Sequence, residues 1–147
     1  MYGRSDMPHT IELSNLTVNE GFRVDGIAAK TGGDVSDLAG FAVGASAADV
    51  NGDGYGDIVI GSWGADADTS VSFSDSGEAY VVFGGASGSV PAVIQLSDLD
   101  GSNGFRMPGL EEKTKAGFSV SIGPDLNNDG IRCVLCCVHP GGWNSGQ

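Results

Sequence analysis

One stretch constrains this chain more than any other: Asp49-Val50-Asn51-Gly52-Asp53-Gly54-Tyr55-Gly56-Asp57. Oxygen-bearing side chains occupy its positions 1, 3, 5 and 9, and three of them are carboxylates. Gly54 sits at position 6, where a loop turning around an ion needs a residue tolerant of positive φ. Carboxylates crowded into so short a loop repel one another unless a cation sits between them. A hard ion such as Ca²⁺ meets that need, with the backbone carbonyl of Tyr55 as a further oxygen ligand. The bland alternative is an Asn/Asp/Gly-rich hairpin turn without metal, which requires only one or two of these residues.

The flanks decide what kind of loop it is. An EF-hand needs a bidentate Glu at position 12 and a helix on each side, but position 12 is Ile60. Ile58-Val59-Ile60 bounded by Gly61 reads as a buried strand. A helix there would carry Gly61 and Gly64 within two turns, which is unfavourable. The loop therefore closes a β-hairpin, and a dockerin-like helix after it is excluded on the same ground.

The chain also repeats itself. Ile11 to Leu16 returns as Ile94 to Leu99, and Gly21-Phe22-Arg23 as Gly104-Phe105-Arg106, both offset by 83. Gly40-Phe41-Ala42-Val43 returns as Gly117-Phe118-Ser119-Val120, offset by 77, and the loop returns as Asp125-Leu126-Asn127-Asn128-Asp129-Gly130, offset by 76. One repeat parses into strands at Phe41–Ala48, Ile58–Gly61, Ala79–Phe83 and Gly104–Met107. A polar loop from Ala65 to Ser76 lies between the second and third, and Ala92–Leu99 reads as an edge strand or a short turn. Four short strands per unit is the count of a propeller blade, and small residues on the first strand suit a crowded innermost position.

Gly40-Phe41, the loop at 49–57, Ile58 to Gly61 and Gly77 to Phe83 together resemble the FG-GAP repeat, the unit of integrin-α-type β-propellers and of many secreted bacterial proteins. The resemblance covers most of residues 21–131; Gly61-Ser62-Trp63 departs from the family's usual Gly-Ala-Pro. It implies an all-β fold of antiparallel four-stranded propeller blades, calcium at the base of the blades, and a face that binds ligands. Carried over, the calcium ligands are Asp49, Asn51, Asp53, Tyr55 through its carbonyl, and Asp57. In the second repeat they are Asp125, Asn127, Asp129 and Ile131 through its carbonyl. The ninth position there is Cys133, a poor donor to a hard cation, so weaker calcium binding is expected of the second loop.

On this reading residues 1–39 hold the end of a preceding blade and a linker. Residues 40–107 form one blade, 108–138 begin a degenerate second, and 139–147 are an aberrant or disordered tail. About one and a half blades cannot close a propeller, so a fragment, or a subunit that packs against further blades, is expected. Cys133, Cys136 and Cys137 follow 132 residues without cysteine. Zinc is disfavoured, because adjacent Cys136 and Cys137 on a strand point to opposite sides. An altered reading frame or an aberrant 3′ end would produce the loss of pattern there.

Charge narrows the partners. Seven basic against 19 acidic side chains give −12, which repels nucleic acid and anionic membrane. No apolar run is long enough for a membrane span, and no signal peptide is visible at the N-terminus. A weak structural calcium loop suits millimolar extracellular calcium, hence an extracellular or cell-surface setting. No nucleophile elbow, zinc-protease or phosphate-loop motif is present. The expected function is a calcium-binding module for adhesion, with a protein or carbohydrate ligand. The alternatives are an accessory propeller segment of a secreted, phospholipase-like hydrolase, or a truncated fragment without a function of its own.

Overall fold

The computed structural model describes residues 12–18, 20–27, 37–45, 48–66 and 76–138. The expectations placed on residues 1–11, on the middle of the polar loop (67–75) and on the tail (139–147) lie outside the described residues. Among the described residues eight strands follow in chain order: β1 (Arg23–Asp25), β2 (Ala42–Ala45), β3 (Ile58–Ser62), β4 (Glu78–Val82), β5 (Val93–Gln95), β6 (Gly104–Pro108), β7 (Ser119–Ile122) and β8 (Val134–Cys137). The described helices are two 3-10 turns, Leu13–Asn15 and Leu96–Asp98, themselves one repeat apart.

The expected four strands form one antiparallel sheet in the order β2-β3-β4-β6. Its register pairs Val43 with Ile60, Ile60 with Tyr80, and Tyr80 with Arg106. β3 and β4 are the central strands, and Val59, Ala79 and Val81 are fully buried. Their near-continuous apolar character follows from being covered on both faces. The described part of β2 ends at Ala45; residues 46–47 of the expected strand lie outside the described residues, and Ala48 is buried but lies outside any strand.

One face of the sheet carries the core. Ile60, Tyr80 and Val82 pack there with Val90, Ile94 and Leu96, and with Phe22, Val24, Ile27, Ile58 and Leu99 at the margin. β5 supplies Ile94 and pairs in parallel with β1, Arg23 opposite Val93 and Asp25 opposite Gln95. Asp25 fastens this short ladder. It accepts from Arg23 at 2.6 and 3.0 Å and from Gln95 Nε2 at 3.0 Å. The Arg23 guanidinium and the Gln95 amide hold the Asp25 carboxyl below its ordinary range.

The other face is covered by the second hairpin, β7–β8, whose register reproduces that of β2–β3. Ser119 pairs with Cys137, Val120 with Cys136 and Ile122 with Val134, as Ala42 pairs with Gly61, Val43 with Ile60 and Ala45 with Ile58. The approach of β7 is close enough to dictate residue size. A Cβ on Gly44 would lie 3.1 Å from Ser121 Cα, and one on Gly61 would lie 2.9 Å from the Gly117 carbonyl carbon. The small residues of β2 and the end of β3 are therefore an interface requirement. Between the sheets, Ala116 N–H donates to Ser76 O at 2.8 Å, and Gly77 forms a parallel bridge with Ala116.

Candidate metal centre

The hairpin turns joining β2 to β3 and β7 to β8 are the two repeated loops, and they share one hydrogen-bond plan. In the first, Asp49 Oδ1 accepts from Asp53 N at 3.1 Å and Asp49 Oδ2 from Gly54 N at 2.6 Å. In the second, Asp125 Oδ1 accepts from Asp129 N at 3.2 Å and Asp125 Oδ2 from Gly130 N at 2.7 Å. Asn51 Nδ2 donates to Asp53 Oδ2 at 2.9 Å, and Asn127 Nδ2 to Asp129 Oδ2 at 2.7 Å. Asp53 Oδ1 accepts from Tyr55 N, and Asp129 Oδ1 from Ile131 N, both at 2.8 Å.

Backbone geometry repeats as well. Gly54 and Gly130 have φ of 87° and 90°, and the preceding left-handed position is Gly52 in one loop and Asn128 in the other. These are the positions where an L side chain other than Asn or Asp is strained. The loops lie side by side, since Arg132 N donates to Asp49 O at 3.2 Å.

The first positions are electrostatically alike. Backbone N–H groups, Gly54 foremost, hold the Asp49 carboxyl below its ordinary range, and Gly130 foremost does so for Asp125. Both are therefore anionic oxygen donors at neutral pH. Asp49, Asn51 and Asp53 bring side-chain oxygens into one exposed loop, with the Tyr55 carbonyl following.

Asp57 behaves differently from the other expected ligands. It is 1% exposed, and its carboxylate accepts from Val50 N at 2.6 Å and from Gly84 N at 2.8 Å. It ties the loop to the end of β4, a second role that its position in the motif did not reveal. Asp57 N also donates to Ala48 O at 2.9 Å, closing the base of the loop. The corresponding closure in the second loop, Cys133 N to Pro124 O, is longer at 3.5 Å.

Among the described residues, no three Asp, Glu, His or Cys side chains gather as a ready-made metal cage. The loop carboxylates accept backbone N–H groups: Asp49 from Asp53 and Gly54, Asp53 from Tyr55, and Asp57 from Val50 and Gly84. The donor set of the first loop nevertheless fits a hard cation by its chemistry, being entirely oxygen and largely anionic. The three cysteines are free thiols, and Cys136 Sγ accepts from Gly117 N at 3.2 Å. Burial pushes the pKa of the half-buried Cys136 thiol up.

Two further features lie outside the motif. A cleft of about 310 Å³ is bounded by Asn51 and Asp53 on one side and by Phe83, Val90, Ile94 and Gln95 on the other. At the opposite end of the strands, Phe41, Trp63 and Phe118 form a ring cluster with centroids 5.5 to 6.5 Å apart. Lys115 Nζ lies 4.6 Å over Trp63, a cation–π contact. Phe41 and Phe118 are equivalent positions of the repeat, which was the available signal; the joining of Trp63 and Lys115 to them had none. No family model matches the chain, and no curated protein is significantly similar to it. No described helix is long and apolar enough to cross a membrane.

Proposed function

We propose that this chain is a calcium-binding module built from FG-GAP-type propeller blades, in which calcium is structural. The observation that carries the proposal is the shared bond plan of two loops one repeat apart, each hanging from a hairpin of identical register. In the first loop Asp49, Asn51, Asp53, the Tyr55 carbonyl and Asp57 hold the ion. In the second, Asp125, Asn127, Asp129 and the Ile131 carbonyl hold it more weakly, for want of an oxygen donor at Cys133. The ion neutralises the loop carboxylates and stiffens the hairpin.

The module works by binding, in an extracellular or cell-surface setting. The cleft beside the first loop offers a ligand-sized space for a protein or carbohydrate group. Apolar exposure supports packing against further blades. Val43, 59% exposed, borders an apolar groove of about 370 Å³ with Phe22, Val24, Ile58, Ile60 and Leu96. This is the face equivalent to the one by which β7–β8 lies on the central sheet.

Calorimetric titration with calcium tests the proposal on wild-type protein, Asp53→Ala and Asp129→Ala. The expected result is a stronger site lost in Asp53→Ala and a weaker one lost in Asp129→Ala. Equal affinities at the two loops would contradict their ranking, and no heat of binding would sink the metal centre.

A further inference from the structure

We propose that Asn51 is a site of spontaneous modification, converting to aspartate and isoaspartate through a cyclic imide formed with the backbone nitrogen of Gly52. In the first step that nitrogen attacks the Asn51 side-chain carbonyl carbon. A C–N bond forms, the bond to the side-chain nitrogen breaks, and the Gly52 proton leaves with it as ammonia. Water then opens the imide at either carbonyl. The net change is amide plus water to carboxylate plus ammonium, with no oxidant or reductant.

Three asparagines of the described chain separate the requirements. Attack is least hindered when the following residue lacks a Cβ, which selects Asn51-Gly52 and Asn103-Gly104. Structure then divides these two. Asn103 is clamped: its Oδ1 accepts from Asp100 N at 3.1 Å, its Nδ2 donates to Asp98 O at 3.1 Å, and its carbonyl accepts from Phe83 N at 3.0 Å. Gly104 is buried in β6 opposite Val82. Asn51 and Gly52 are exposed and lie in no ladder. Asn51 Oδ1 accepts from Asp53 N at 3.0 Å, its Nδ2 donates to Asp53 Oδ2 at 2.9 Å, and Gly52 N donates to Asp49 Oδ1 at 2.6 Å, so these bonds close within one exposed turn and none ties it to the sheet. Asn127 sits in an equally exposed loop, but Asn128 follows it, with a φ of 61° against 80° at Gly52. Of these three sites, the first loop combines a following residue without a Cβ with hydrogen bonds confined to one solvent-exposed turn.

The outcome matters for the loop. Aspartate adds a carboxylate at its third position. Isoaspartate carries the main chain through the side chain, lengthening the loop by one carbon and displacing that donor. The consequence for calcium rests on the function proposed above; the modification itself does not.

The test is incubation of the full chain at mildly alkaline pH, followed by peptide mapping with isoaspartate detection. Asn51 is expected to convert at least tenfold faster than Asn103 or Asn127 in buffer, and at the same rate as Asn103 in urea. Gly52→Asn, which keeps a residue tolerant of the left-handed conformation, is expected to slow Asn51 to the rate of Asn127. The reverse change, Asn128→Gly, is expected to raise Asn127 to the rate of Asn51. Equal conversion of Asn51 and Asn103 in buffer overturns the proposal, as does an Asn51 that stays intact. Millimolar calcium is expected to protect Asn51. Conversion unaffected by calcium would sustain the modification site and count against the metal centre.

Discussion

Removing the Asp57 carboxylate is expected to destabilise the fold even when no metal is present. Both oxygens accept backbone N–H groups, from Val50 inside the loop and from Gly84 just beyond β4, and the side chain is nearly inaccessible to water. In Asp57→Ala both donors lose their partner. An unsatisfied buried donor costs about 1–3 kcal/mol, so two cost about 2–6 kcal/mol. Val50 and Gly84 are only half-buried, and water that reaches them recovers part of this. An expected loss of about 3 kcal/mol corresponds to a Tm lower by about 6–12 °C for a chain of this size. Asp57→Asn keeps one acceptor oxygen but turns an amide NH₂ toward the second donor, so about half of that loss is expected. The assay is urea unfolding in excess chelator, which isolates the clamp from any metal effect. Asp53→Ala is the comparison, since its bonds lie in exposed loop and its loss in chelator is expected to be under about 1 kcal/mol. A loss below about 0.5 kcal/mol for Asp57→Ala in chelator would refute the clamp.

Gly61→Ala drives a methyl into the Gly117 backbone, and overpacking of this kind costs about 1–3 kcal/mol; a variant as stable as wild type in urea would show that β7 is free to shift. Acid is expected to weaken the fold through Asp49 and Asp125. Their folded-state pKa values are depressed, so their contribution is present above the unfolded value near 4 and is lost as pH falls through the folded values. A pH series of unfolding midpoints checks this, with Asp125→Ala flattening the acid limb. Alkali acts through Tyr80, which is buried, donates to Glu78 and has a pKa raised chiefly by burial. Its contribution is present below pH 10 and is lost as pH rises from there, so Tyr80→Phe is expected to blunt the alkaline loss. Cys133→Asp supplies the missing ninth donor, and a calcium titration is expected to show the second loop tightened toward the first.

The strands were legible where side chains announce themselves. Ile58-Val59-Ile60 and Tyr80-Val81-Val82 are β-branched or aromatic runs bounded by glycine, and they became the central strands in the expected order. The loop residues were legible by spacing, and the repeat carried over to hydrogen bonds as well as letters. The β1–β5 ladder was not legible, because three residues paired across a separation of about 70 leave no local periodicity. Asp57 was read as a loop ligand. Its buried bond to Gly84 depends on where the end of β4 lies, which no spacing within the motif encodes. After Arg132 the loop pattern is lost, yet Val134-Leu135-Cys136-Cys137 still alternates half-buried with exposed positions and pairs with β7 as a regular hairpin. The Lys115–Trp63 contact joins residues from separate loops and left no trace in the sequence.

The most direct measurement is a thermal melt of the wild-type chain in about 5 mM calcium against excess chelator. At the affinities of extracellular modules, about 10⁻⁴–10⁻³ M, linkage predicts stabilisation of about 1–2.3 kcal/mol, a rise in midpoint of about 2–9 °C. The account predicts that rise, and predicts that Asp53→Ala loses most of it. Superimposable melts with and without calcium would contradict a structural metal in these loops.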